Sequence, residues 1–414
     1  MMHIVKQAMA AVAMAAIAAP ALSAELTVWD WKSGDPAAAS YIQAAKEKFE
    51  AENPGDTVNF VMQPHDQYYT ILGTALASGK GPDVFLLHGG AQTRARIPAL
   101  VDLSAHSENL VGTADFEGED GKLYALPITI QGFVVYYNKE LYADAGLDPE
   151  SPPQTWDELV AVCEAIKEKG DVPCFAMGNK EGFGAEFLLS SLAASMLTDE
   201  QQQAFADGTL KWSSPEISAI LQTWVDEGEM GWYNKGANSQ AKFMDEYEQF
   251  MRSDAANVIG LISDVAHWKQ FDEFLGADNL GVFIHPAPEM AFDKLRMPVS
   301  GGIGYGVNKD SEHPELAEKL ATTLADPEPI AVFVNDAGVV PASTVVDTSS
   351  LSSPSVIEIL GYLNDQSAPT AHSSVTAEEL AEWHRQSQLL LNGDTTVEEA
   401  ASRMDDVQAK AHGG

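Results

Sequence analysis

Basic residues are scarce in this chain: 24 Lys and Arg stand against 61 Asp and Glu, a formal charge of −37 over 414 residues. That balance argues against nucleic acid and anionic lipid as partners, since both carry charge of the same sign. The acids are spread along the whole chain, so they read first as a solvated surface and only second as a site for a cation such as a polyamine. Cysteine is scarcer still, with only Cys163 and Cys174, and neither has a neighbour at the spacing of a metal or redox site. Gly-x-Ser-x-Gly and His-Glu-x-x-His are both missing, which removes the commonest esterase and zinc-hydrolase readings. No metal and no cofactor are expected. Beyond residue 24 no run is long and apolar enough to cross a bilayer.

What is present begins with an export pattern. Lys6 precedes an unbroken apolar run from Ala8 to Ala19, followed by Pro20-Ala21-Leu22-Ser23-Ala24. A basic start, a short apolar stretch and small residues form the layout of a cleaved secretory signal over residues 1–24. Cleavage falls after Ser23 or after Ala24. No Cys lies nearby to carry a lipid anchor, so a periplasmic location is expected. In that oxidising compartment Cys163 and Cys174 are expected to form a structural disulfide, with two buried thiols as the alternative.

About 390 residues remain after export, enough for two or three lobes at roughly 150 residues per domain. Short apolar runs alternate with helical patterns, which predicts α/β layers with largely parallel strands. Strands are expected at Glu25 to Trp29, Thr57 to Met62 and Asp83 to Leu87. Asp35-Pro36 reads as the cap and first residue of a helix ending before Pro54, with Tyr41, Ala45 and Phe49 on one face. Thr155-Trp156-Asp157-Glu158 is a capping box whose helix should stop at Gly170. Pro314 and Pro327 open a further helix pair that Gly338 closes.

Five segments then fall in a recognisable order: GKGPDVFLLHGG (79–90), YALPITIQGFVVYYNKELYADAGL (124–147), PPQTWDELVAVCEAIK (152–167), GGIGYGVNKDSEHPELAEKLATTL (301–324) and NGDTTVEEA (392–400). Together they resemble the extracellular solute-binding proteins of sugar ABC importers, the group that includes maltose-binding protein. The resemblance covers nearly the whole exported chain. It implies two α/β lobes joined by crossing strands, with a ligand cleft between them that closes around its cargo. Carried onto this sequence, one lobe is 25–130 plus 285–337 and the other 131–284 plus 338–414. It further implies membrane permease subunits as partners, a monomer, and no insertion of the receptor itself into the membrane.

Ligands of α/β lobes sit beyond the carboxyl ends of strands, and sugars ask for aromatic faces beside paired hydrogen-bonding groups. After the first strand, Trp31 is a candidate platform and Lys32 a hydroxyl donor, while Asp35 reads as a helix cap. After the second come His65 and Asp66, and after the third His88 beside Gly89 and Gly90. The resemblance adds Gln131 at the crossover, Glu181 and Phe183 in GNKEGFG, Asp264 in a segment where the family often supplies a cleft Trp, and His372 near the C-terminal return. Trp268 reads as core. Gly301 and Gly302 are expected to admit ligand against bare backbone; their spacing is not that of a phosphate loop. The main reading is therefore a receptor that captures a sugar or oligosaccharide, and not an enzyme. A receptor for a polyamine or other polar metabolite, and a secreted glycoside hydrolase working through two carboxylates, are the alternatives.

Overall fold

The structure is a computed structural model that describes residues 23–170, 172–262 and 267–413. The secretory signal lies outside the described residues except for Ser23 and Ala24, as does Asp264. Among the described residues the strands fall into two sheets. The first contains β1 (Glu25–Asp30), β2 (Thr57–Met62), β3 (Val84–His88), β4 (Leu126–Pro127) and β10 (Ile303–Val307), in the order β2-β1-β3-β10-β4. The second contains β5 (Ile130–Asn138), β6 (Phe175–Ala176), β7 (Asn257–Leu261), β8 (Leu280–Phe283), β9 (Met297–Gly301) and β11 (Ser367–Pro369), with β5 central.

Local chemistry explains the first lobe. The Asp35 carboxylate accepts the Ala37 amide and Pro36 opens a 3-10 turn that feeds the helix Ala39–Glu52. Tyr41, Ala45 and Phe49 recur at i, i+4 and i+8, so they share one buried face. The Tyr41 ring stacks on Phe333 at 4.6 Å and its hydroxyl donates to the Leu324 carbonyl, which docks the helix on the pair Pro314–Leu324 and Pro327–Ala337. Gly338 closes that pair with φ +74°.

β1 runs parallel to β2 and β3, but the expectation of largely parallel strands fails elsewhere: β10 is antiparallel to β3 and β4, and β5 to β7, β8 and β9, while β6 and β11 pair parallel with β7 and β9. For β5 and β9 the cause is the chain path. β5 leaves the first lobe and β9 leads back to it, so the opposite directions of that pair follow the chain's passage between lobes and not a βαβ crossover. Three segments make the passage. β4 leads into β5 through Ile128 and Thr129, and β9 leads into β10 through Gly302. Residues 338–343 run alongside, with the Ile130 amide donating to the Val340 carbonyl and the Ala342 amide to that of Ile128. Because β9 pairs with β5, residues 297–301 belong to the second sheet. The change of sheet along this segment therefore falls at Gly302.

In the second lobe the capping box at Thr155 and Glu158 opens the helix Trp156–Lys169 and Gly170 ends it in the left-handed region. The NGDTTVEEA segment is a helix-to-helix turn: Gly393 ends Ala377–Asn392 with φ +73°, and Thr396 with Glu399 forms the capping box of Val397–Ala411. Cys163, on the helix Trp156–Lys169, is bonded to Cys174 just before β6, so the two-thiol alternative is excluded. Replacing both cysteines by serine should cost about 3 kcal/mol, the loop-closure contribution for a separation this short. Urea unfolding of the variant beside the oxidised protein checks this, and equal midpoints would show the bridge to be dispensable.

Candidate functional site

A cavity of about 660 Å³ lies between the lobes, reached by strand ends and helix starts from both. Trp31 and Lys32 follow β1, His65 and Asp66 follow β2, and His88 with Gly89 ends β3, all facing this space. Gln131, Gly301 and Gly302 reach it from the crossing strands, and Glu181, Phe183 and His372 from the second lobe. The structure thus brings together every described residue singled out from the sequence; Asp264 lies outside the described residues. Trp268 is buried core, its indole N–H donating to the Gly338 carbonyl.

On the first lobe the rings are locked to one another. Trp31 stacks on His88 at 4.6 Å, meets His65 at 5.1 Å and takes the edge of Tyr68 at 4.8 Å. The Tyr69 hydroxyl accepts the His88 amide and sits 2.8 Å from Nδ1. Burial holds His88 well below the usual histidine range, so the ring is neutral. A neutral imidazole carries one donor and one acceptor nitrogen. Lys32 is only 5% exposed, and Asp35 and Asp66 sit at the starts of the turns Pro36–Ala38 and His65–Gln67.

Across the cavity the helix Phe183–Met196 presents Phe183, Glu186 and Phe187. Burial would raise the Glu186 carboxyl, but the imidazoles of His372, at 3.3 Å, and His384, at 2.8 Å, outweigh it and hold the group below the ordinary glutamate range. His372 is lowered by its own burial and also contacts the Ser190 hydroxyl at 2.9 Å. Phe243 lies 5.4 Å from Phe183, and both rings stand 6.2 Å from His65 on the opposite lobe. Ser300 and Met244 complete the crossing side and the mouth.

Gly301 and Gly302 also have a packing role. Both border the cavity, but a methyl group on Gly301 would stand 2.2 Å from the Gly112 carbonyl oxygen, and one on Gly302 2.5 Å from the Thr129 hydroxyl. Close packing of Gly301 against Gly112 of the first lobe and of Gly302 against Thr129 of the neighbouring crossing segment therefore gives their bareness a reason beside ligand approach.

Several residues escaped the sequence reading. Glu186 and Phe187 follow Phe183 at helical spacing, a signal that was there to use. Gln92 had a weaker one, a few residues beyond β3, whereas Tyr69 sits in the first turn of the helix Tyr68–Ala77. Nothing in the sequence marked Lys242, Phe243 and Met244, which lie on a π-helical turn, or His384, which arrives on a helix more than a hundred residues away.

Two α/β lobes, three crossing segments and an interlobe cavity with facing aromatic rings define a two-lobed binding protein. The chain belongs to the bacterial extracellular solute-binding proteins, whose sequence pattern matches residues 44–356. It is a solute-binding protein and not a hydrolase. Relatives include the maltodextrin-binding protein MdxE of Bacillus subtilis (strain 168), 25% identical over 340 residues that make up 73% of this chain and 70% of that protein. The sn-glycerol-3-phosphate-binding periplasmic protein UgpB of Escherichia coli (strain K12) is 23% identical over 334 residues, 76% and 74% of the two chains. Among solved structures, a chitin oligosaccharide binding protein superposes with a TM-score of 0.84 at 24% identity, covering 95% of this chain and all of that one. The GacH receptor of Streptomyces glaucescens superposes at 0.76 with 21% identity, covering 94% and 98%. Among the described residues no helix is long and apolar enough to cross a membrane.

Proposed function

We propose that this protein captures a sugar or short oligosaccharide in the periplasm and delivers it to the membrane permease of an ABC importer. The observation that carries this reading is the pairing of aromatic faces across the cleft, Trp31 and His65 on one lobe opposite Phe183 and Phe243 on the other. Rings on both sides suit the two C–H faces of a pyranose, and the amide of Gln131 and the imidazole of His88 suit its hydroxyls. A ligand held by both lobes supplies the differential affinity that favours closure. A single chain provides both walls, so capture needs no second copy.

Between a neutral sugar and a phosphorylated one, two of the turns at the cavity favour the neutral ligand. At Pro36–Ala38 and at Lys242–Glu246 backbone amides are met by carboxylates of the protein itself: Asp35 accepts the Ala37 amide, Glu181 that of Lys242 and Asp245 that of Ala241. Those anions occupy the places a phosphate would need. For a polyamine, the Glu186 carboxylate is already engaged by two imidazoles. In a thermal-shift screen, maltotriose, chitotriose or xylotriose should raise the melting temperature, since a ligand at 100 times its dissociation constant adds about 2.7 kcal/mol. sn-Glycerol-3-phosphate and spermidine should leave it unchanged. Stabilisation by either of these two and by none of the sugars would overturn the cargo.

A further inference from the structure

The aromatic wall of the second lobe comes from two segments distant in sequence: residues 178–184, which carry Phe183, and the π-helical turn Lys242–Glu246, which carries Phe243. A fully buried ion pair ties them. The Lys242 ammonium donates to the Glu246 carboxylate and, at 2.7 Å, to the Ile259 carbonyl, and it lies 4.7 Å from the centre of the Phe187 ring. The second Glu246 oxygen accepts the Gly178 amide, and the Lys242 amide donates to Glu181 at 3.2 Å. Gly178 is what allows the approach, because a methyl group there would stand 2.7 Å from the Glu246 oxygen and 2.9 Å from the Lys242 Cα.

This lysine borders the cavity, yet its charge is used inside the protein, on Glu246, a carbonyl and a ring face. Such a pair adds little stability over apolar side chains of the same volume, because desolvation of two ions offsets their attraction; its directional bonds can instead fix one arrangement. The π turn supplies the geometry that is fixed. It widens the helix by one residue, so Lys242, Glu246, Tyr247 and Phe250 all point inward while Phe243 faces the cavity.

We infer that the Lys242–Glu246 pair is a positioning device for the ligand cleft: it clamps residues 178–184 to the π turn and thereby sets the separation of Phe183 and Phe243, which determines the ligands the second lobe accepts. The inference rests on the cavity being the solute site. Its test is the volume-matched double substitution Lys242→Met with Glu246→Leu, beside Gly178→Ala, which forces the clamp apart with both charges in place. In the unliganded protein, amide exchange of residues 178–184 and 241–247 should be faster in both variants than in wild type, while the double variant melts within a few degrees of it. Affinity for the tightest binder among maltotriose, chitotriose and xylotriose should fall about tenfold or more, the loss expected for a displaced aromatic anchor. Unchanged exchange, or faster exchange with unchanged affinity, overturns the inference. If the double variant does not fold, Gly178→Ala decides by the same two readouts. If wild type binds none of the three sugars, the cargo reading fails, and exchange alone still decides the clamp.

Discussion

Replacing Trp31 by alanine should lower sugar affinity about 100-fold, since buried aromatic anchors at the centre of an interface contribute on the order of 2–4 kcal/mol. Trp31 suits that role because its neighbours hold it in place before a ligand arrives. His88 stacks on one face, Tyr68 meets it edge-on and His65 stands 5.1 Å away, so little side-chain freedom is left to lose on binding. The same contacts tie Trp31 to the core, so the alanine variant should also melt earlier. Trp31→Phe separates the two effects: it retains an aromatic face and should recover most of the affinity. Calorimetric titration of both variants is decisive, and an alanine variant within about threefold of wild type would remove Trp31 from the site.

The second large effect lies far from the cleft. Glu227, on the helix Pro215–Glu229, is fully buried with His285, 3.5 Å from its Nε2, and Tyr233, whose hydroxyl donates to the carboxyl at 2.8 Å. Burial pushes Glu227 up to about 8 and His285 down to about 4, so near neutrality both are uncharged. His285 Nδ1 faces the Pro286 carbonyl at 2.8 Å and is its donor, which leaves Nε2 as a lone pair toward a protonated Glu227. A carboxyl with a raised folded pKa contributes stability that is complete below its unfolded value of about 4.5 and is lost as pH rises through about 8. Glu227→Gln removes that loss. The variant should match wild type near pH 5 and exceed it above pH 8 by on the order of 2–4 kcal/mol. Urea unfolding at pH 5, 7 and 9 reads the difference, and a gap that does not change with pH would contradict the assignment. On the acid side His88, His285 and His372 act in the opposite sense. Their lowered folded pKa values make stability fall as pH drops below about 6.5, where the unfolded histidines take up protons. That slope should survive in Glu227→Gln.

The legible parts of this molecule were those governed by neighbours in sequence. The Asp35-Pro36 start, the capping box at Thr155, the stop at Gly338 and the face of Tyr41, Ala45 and Phe49 depend on one or two turns of chain, and the structure shows each of them. Residues just past strand ends were legible for the same reason: topology puts the ends of β1, β2 and β3 at one edge, so Trp31, His65 and His88 meet in the cavity. Features set by distant partners were not. The antiparallel pairing of β5 with β9 follows from the chain's return path, and the packing of Gly302 depends on Thr129, which is distant in sequence. The π turn that aims Phe243 has no local signal, because Lys242 and Glu246 also fit the i, i+4 spacing of an ordinary solvated helix pair.

The central claim is a neutral sugar held between the lobes and released unchanged. Calorimetric titration of the exported protein with maltotriose, chitotriose and xylotriose, followed by chromatography of the recovered sugar, tests it most directly. The account predicts saturable one-to-one binding of at least one of them, a negative heat-capacity change from burial of apolar surface, and full recovery of intact ligand. Cleavage of the sugar, or saturable binding of sn-glycerol-3-phosphate with no response to any sugar, would contradict it.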